Sequence, residues 1–216
     1  REVALVLGAI TIVVGSLLAW SQKQLRRMFA YSSIVNAGYV AVAVVMGTKA
    51  GPSVFLYLLV YGLTVIGIFS LIENFMRILG KDPNGDLEIS DLTEVAKKSP
   101  KTLVVFFVMG VFSLTGIPPF PGFFTKYLLL RDLWESGMYY SCYAIVLGTF
   151  LGLGYYLKCF LPIFAEKSAA STTDRKEPLA VSAFLASCLC VLLLSILLLG
   201  MNSFMGWSSH VEGWTR

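Results

Sequence analysis

Gly116-Ile117-Pro118-Pro119-Phe120-Pro121-Gly122-Phe123-Phe124-Thr125-Lys126-Tyr127 stands inside an apolar run that reaches from Leu103 to Leu130. Proline has no N–H to donate and disfavours helix at the residue before it, so Pro118, Pro119 and Pro121, flanked by Gly116 and Gly122, must interrupt any helix formed by the run. Carbonyls freed by such a break are tolerated at membrane depth only where protein or water covers them. The stretch therefore predicts a discontinuous membrane helix with a buried, wet cavity beside Lys126. An ionisable side chain next to a broken intramembrane helix is a common construction of ion and proton pathways.

The surrounding composition agrees with a membrane setting. Of 216 residues, 56% are hydrophobic and 14% charged, and the mean hydropathy is +0.75; a soluble domain carries roughly a quarter charged residues. Six stretches can cross about 30 Å of hydrocarbon at roughly 20 residues each: Val3–Trp20, Met28–Met46, Ser53–Leu79, Thr102–Leu130, Met138–Phe164 and Pro178–Gly200. The expected fold is all-α, with six transmembrane helices, the fourth discontinuous at Pro118-Pro119. Residues 1–164 would form a five-span bundle, 165–177 a polar connector, and 178–216 a final charge-free span with an outer-side tail.

If the spans alternate, Lys23, Arg26, Arg27, Arg77, Lys81, Lys97, Lys98, Lys101, Lys158, Lys167, Arg175 and Lys176 share one side. Arg1, Lys49, Arg131 and Arg216 fall on the other. The positive-inside rule then puts both termini on the outer face and the 80–101 loop inside. Trp20, Trp134, Trp207 and Trp214 lie at or beyond span ends, where indole favours the headgroup zone. Cys142, Cys159, Cys188 and Cys190 fall within spans without metal-ligand spacing and read as small apolar filler. The chain begins at Arg1 rather than methionine, so either a targeting segment has been removed or the sequence is a piece of something longer.

Polar residues recur at helical spacing. The short connector Gln24–Arg27 makes the first two spans antiparallel neighbours, and the second carries Ser32, Ser33 and Asn36 on one face, with Tyr31 and Tyr39 nearby. The third carries Tyr57, Tyr61 and Thr64. These stripes read either as interhelical hydrogen bonds of about 0.6–2 kcal/mol each or as a hydrated face leading toward Lys126. Glu73 and Arg77, four apart, can pair near the basic side, and Lys158 is placed to snorkel there. Gly148 and Gly152, with Gly154, offer a close-packing surface. Ser90-Asp91-Leu92-Thr93-Glu94 reads as a helix start within the loop.

Burial in a low dielectric disfavours an ammonium, so entering water or neighbouring charge can switch a sheltered lysine between protonated and neutral forms. The other reading is that Lys126 snorkels outward, since Arg131 is only about 7 Å further along a helix. The sole histidine, His210, lies outside the last span. A relay would run on lysine, hydroxyls and water. Metal-ligand clusters, nucleotide-binding glycine loops and Ser/His/Asp arrangements are missing from the spans, which argues against bond-making chemistry in this chain.

Three passages at their spacing here resemble the antiporter-like family, the proton-pumping membrane subunits of respiratory complex I (NADH:ubiquinone oxidoreductase) and related cation/proton antiporters. They are Gly15 through Gln22 with Leu25–Ile34 and Gly38-Tyr39; Tyr57 and Tyr61; and Ser113–Pro119 through Gly122–Lys126. Lys126-Tyr127-Leu128, Ile89–Leu92 and Lys98-Ser99-Pro100 are similar to the branch known as subunit 2 or N. The resemblance runs to about Phe164 and matches the last six spans of a fourteen-span protein. It implies that Lys126 is the proton relay of an outward half-channel, with Ser32, Ser33, Asn36, Tyr57, Tyr61, Thr64 and Thr125 as supporting path and Pro118, Pro119, Pro121 and Gly122 as the break. Arg26 stands where the family usually has lysine, a possible inner-side charge, and Asn36 where it often has histidine. The resemblance further implies no cofactor in this chain (NADH, FMN, iron–sulfur clusters and ubiquinone belonging to other subunits) and neither metal nor nucleic acid. The implied partners are the lipid bilayer, the other complex I membrane subunits and a separate chain supplying the first half of subunit 2. The implied place is the mitochondrial inner membrane, or a bacterial plasma membrane. A sodium or potassium/proton antiporter subunit and a non-pumping structural remnant stay open as alternatives.

Overall fold

The computed structural model describes residues 2–45, 47, 51–82 and 85–164. Seven α-helices make up this part: α1 (Glu2–Ser21), α2 (Leu25–Val44), α3 (Gly51–Leu79), α4 (Leu92–Lys98), α5 (Lys101–Thr115), α6 (Pro121–Glu135) and α7 (Tyr139–Phe164). Five of the expected spans are accounted for within a few residues, but as more helices than spans. The fourth span is two helices, α5 and α6, and the 80–101 loop contributes α4. The sixth span, the connector and the tail lie outside the described residues. Three helices are each long and apolar enough to cross a membrane: Val3–Ser21, Gly51–Leu79 and Tyr139–Phe164. The 15 residues of α5 are too few to cross alone.

The helix ends sort onto two sides, as alternation requires. At one end, Leu25 N donates to Leu87 O (2.8 Å) and Ile89 N to Lys23 O (2.9 Å), tying the α1–α2 connector to the loop after α3. Thr93 Oγ1 donates to Pro162 O (3.3 Å), so α4 sits by the end of α7. At the other end Ser53, opening α3, donates to Asp132 near the end of α6. Helix α4 starts inside the expected stretch, with Asp91 just before Leu92, and a further turn precedes it. Glu88 caps a 3-10 turn (Ile89–Asp91) whose Asp91 side chain reaches back to the Glu88 N–H (2.8 Å), and Lys81 holds the same carboxylate at 2.5 Å.

Close approaches fix the packing. A Cβ on Gly38 would meet Gly8 O at 3.1 Å, and one on Gly8 would meet Val42 Cγ2 at 2.6 Å, so α1 and α2 touch backbone to side chain. Gly148 gives room to Ile12 and Tyr39, and Gly154 to the Trp20 ring. Gly152 meets only tyrosines of its own helix, so the working pair on α7 is Gly148 and Gly154. Lys158 does not snorkel freely: it donates to the Trp20 carbonyl, one of the unpaired acceptors ending α1, and lies over the Trp20 ring (5.2 Å). Glu73 and Arg77 are both exposed, and no ion pair joins them among the described residues; each keeps its charge toward the basic end instead. Cys142 and Cys159 are buried free thiols, Cys159 beside Met28 (3.9 Å); Cys188 and Cys190 lie outside the described residues.

Candidate functional site

The break forms where proline and glycine chemistry places it. Helix α5 stops at Gly116, whose φ of 84° is a left-handed value that residues with a Cβ avoid. Pro118-Pro119 is a cis peptide, and Pro121 opens α6 at a position where a missing N–H costs nothing. Gly116 N and Ile117 N both close on Phe112 O (3.0 and 3.1 Å). Gly122 brings α6 against α5: its N–H donates to Ser113 Oγ (3.1 Å).

That closure leaves the last carbonyls of α5 without intrahelical partners, and Lys126 takes them. Its Nζ donates to Leu114 O (2.8 Å) and Thr115 O (3.3 Å), and lies 5.6 Å from the centre of the Tyr39 ring. Helix side chains lean toward their N-terminus, so Lys126 on α6 points back into the break, away from the outer end. Only 8% of the residue is exposed, which excludes the snorkelling alternative. The negative end of the α5 dipole faces the amine, an arrangement that offsets part of the cost of burying an ammonium.

The residues expected to support Lys126 come together on its polar side. Asn36, Tyr57, Tyr61, Thr64 and Thr125 share with Lys126 a cavity of about 10 Å³, the space one water molecule fills. The expected wet gap is thus small. Tyr57 donates to Asn36 Oδ1; Asn36 Nδ2 donates to Ser32 O (2.7 Å) and more weakly to Ser32 Oγ (3.4 Å). Tyr61 donates to Ser33 Oγ (2.7 Å), and Ser33 to Phe29 O (3.0 Å). Thr64 and Thr125 line the cavity while donating to carbonyls of their own helices. Pro121 and Gly122 are buried, but Pro118 and Pro119 are exposed on the outside of the break.

Arg26 is not part of this group. Its Nη1 donates to Gly85 O (3.0 Å) and its N–H to Asp86 Oδ1 (3.3 Å), so it belongs to the turn at the basic end. Four residues escaped the sequence reading as site residues: Tyr39 under the amine, Leu114 and Thr115 through their carbonyls, and Tyr156, whose hydroxyl meets Ser32 Oγ. Main-chain acceptors leave no trace in side-chain spacing. On its other side Lys126 borders a larger, mostly apolar cavity of about 350 Å³ between the break and α7, lined by Phe123, Tyr127, Val146 and Phe150 among others.

Residues 1–152 match the family model described as NADH:quinone oxidoreductase/Mrp antiporter, TM. The chain is 31% identical over 210 residues to NADH-quinone oxidoreductase subunit N of Hirschia baltica, covering 96% of this chain and 42% of that protein. It is 32% identical over 164 residues to the chloroplastic NAD(P)H-quinone oxidoreductase subunit 2 of Chaetosphaeridium globosum, covering 76% of this chain and 32% of that one. Among solved structures, respiratory complex I from Thermus thermophilus with bound Aureothin contains a similar chain, with a TM-score of 0.73, 29% identity and coverage of 91% of this chain and 43% of that chain. The chain therefore spans less than half the length of these relatives. With a broken helix and buried lysine inside the matched region, and the match extending over most of its length, the chain belongs to the NADH:quinone oxidoreductase/Mrp antiporter transmembrane family.

Proposed function

We propose that this chain corresponds to the C-terminal part of a proton-translocating membrane subunit of NADH:quinone oxidoreductase, the subunit named 2 or N in its relatives, and supplies the outward half-channel centred on Lys126. The observation that carries this reading is the buried Lys126 amine at the helix break, bordered by a file of hydroxyl and amide groups from α2 and α3. Electron transfer from NADH through FMN and iron–sulfur clusters to the quinone falls to other subunits, and this chain responds through charge and hydration. Its partners are the other membrane subunits of the complex, with a separate chain supplying the first half of the subunit. Its place is the mitochondrial inner membrane with both termini on the intermembrane-space side, or a bacterial plasma membrane; the basic cluster at one end supports that orientation.

The test is proton movement per electron pair in membrane vesicles containing the assembled complex. With Lys126→Ala the complex should assemble and oxidise NADH while pumping fewer protons per electron pair. An unchanged ratio would refute the relay and leave the structural-remnant reading. The family description also includes antiporters, but an ammonium repels alkali cations. Proton movement that persists when sodium and potassium are replaced by choline favours the pump; strict dependence on either cation favours the antiporter.

A further inference from the structure

Lys126 has a second side, away from Asn36 and Tyr57, where it borders the cavity of about 350 Å³ between the break and α7. That volume is within the range of small-molecule pockets. Gly116 lines the cavity together with Lys126, and a Cβ on Gly116 would stand 3.4 Å from Nζ, so the missing side chain leaves the amine uncovered on this side. The other walls are mostly apolar: Phe123 on α6, stacked on Tyr127 (ring centres 6.4 Å), faces Val146 and Phe150 on α7. Tyr127, Val146 and Phe150 are exposed (55%, 53% and 72%), so the mouth opens away from the bundle. Lys126 is the one charged residue on the lining. Among the described residues no carboxylate pairs with it, and its bonds go to two uncharged carbonyls.

We infer that this cavity is a binding site for a fatty acid, a single-chain amphipathic carboxylate whose head meets Lys126 and whose hydrocarbon chain lies along Phe123, Val146 and Phe150. Charge complementarity selects this occupant. A purely apolar chain would leave a buried ammonium without a counter-charge, and a cationic amphiphile would be repelled by it. A phosphate-bearing lipid keeps its charge and its head at the interface, whereas Lys126 lies about 14 Å of helix short of Glu135 at the outer end of α6. A carboxylic acid reaches that depth in its uncharged form, which avoids the cost of moving an ion into hydrocarbon. Its O–H proton then passes to the lone pair of the neutral amine, leaving carboxylate against ammonium with no other reactant. Leu114 O and Thr115 O take two of the three ammonium N–H donors, and the carboxylate accepts the third. The site needs only the charge and position of Lys126 and does not depend on the relay role proposed above.

The probe is dodecanoate carrying a photoreactive diazirine on its chain, added to membrane vesicles containing the assembled complex; after illumination, labelled peptides are mapped by mass spectrometry. Labelling is expected on α6 and α7 around Tyr127 and Phe150. Unlabelled dodecanoate should displace it about tenfold better than dodecanol, which has the same chain and no charge, because hydrogen bonds to charged groups are stronger than neutral ones. Lys126→Ala should remove that advantage and bring the two competitors level. Val146→Trp fills the cavity from α7 without touching the amine; it should suppress the labelling, which keeps the test decisive if Lys126→Ala fails to assemble. Equal displacement by dodecanol in the wild type identifies a lipid-chain groove with no head-group site and overturns the inference. Absence of labelling on these walls, as when another part of the chain or a neighbouring subunit covers them, overturns it as well. An unchanged proton ratio in Lys126→Ala refutes the relay and leaves this site standing.

Discussion

Gly122→Ala introduces one methyl group at the point where the two halves of the broken helix touch. Its Cβ would stand 1.8 Å from the Ser113 carbonyl oxygen and 2.7 Å from the carbonyl carbon. The obstacle is backbone, so no rotamer change relieves it, and α6 has to withdraw from α5 by about 1.5 Å to restore ordinary contact. That movement takes the Gly122 N–H, now 3.1 Å from Ser113 Oγ, out of hydrogen-bond range. It also carries Lys126, one turn further along α6, away from Leu114 O. A buried N–H left unpaired costs ~1–3 kcal/mol, and a lost bond from a charged donor a further ~1.5–3 kcal/mol. The expected sum is ~3–5 kcal/mol, a large part of a typical folding free energy. Gly116→Ala is the comparison: its positive φ costs ~1–2 kcal/mol, while its Cβ would meet the flexible Lys126 side chain, Cδ at 3.2 Å and Nζ at 3.4 Å. Complexes heated in steps and run on native gels should lose the Gly122→Ala subunit at the lowest temperature, Gly116→Ala next and wild type last. If Gly122→Ala resists heat as well as wild type, the argument from contact across the break is wrong.

Lys126→Arg keeps the positive charge but not a releasable proton, so vesicles should show pumping lowered as in Lys126→Ala rather than rescued. Tyr57→Phe strips Asn36 Oδ1 of its donor and should cost ~1–3 kcal/mol, seen as a shift on the same heating series smaller than that of Gly122→Ala. Gly154→Ala would place a Cβ 1.9 Å from Trp20 Cζ3; the ring, 47% exposed, has to swing off α7, and the heating midpoint should fall by less than in Gly122→Ala, where backbone blocks the methyl group. Lys158→Met removes the ammonium from the Trp20 ring and carbonyl. Losing the cation–π contact costs about 1 kcal/mol, which should lower the heating midpoint slightly and leave proton pumping unchanged.

How much of this was legible in the sequence depends on how local the cause is. The break was legible because proline and glycine act on their own backbone, and α5 and α6 end and begin where Gly116 and Pro121 say. Spacing also placed Asn36 with Ser32, and Tyr57 with Tyr61, since residues three or four apart share a helix face. It could not say which helix faces them. Tyr156 is 124 residues from Ser32, and two adjacent tyrosines near the end of an apolar helix read equally well as an interfacial anchor. Lys126 was open in both directions until the carbonyls freed by the break gave its amine acceptors. The start of α4 after Asp91 was legible as well, but not the 3-10 turn before it: Glu88 is held by a bridge to Gln24, and Asp91 by Lys81, contacts that loop propensity does not contain.

The two bonds that hold Lys126 also bear on how it could work. An ammonium has three N–H donors, and Leu114 O and Thr115 O use two of them. A neutral amine retains two. The same side chain can therefore close the end of α5 in either protonation state, because the third N–H is not needed to hold the break. Had the carbonyls taken all three donors, each proton release would break a hydrogen bond and loosen the helix break. With two, the scaffold stays fixed while the charge changes, which keeps the reorganisation accompanying each transfer small. Removing the acceptor geometry rather than the amine, as Gly122→Ala does, should consequently disturb stability and proton movement together.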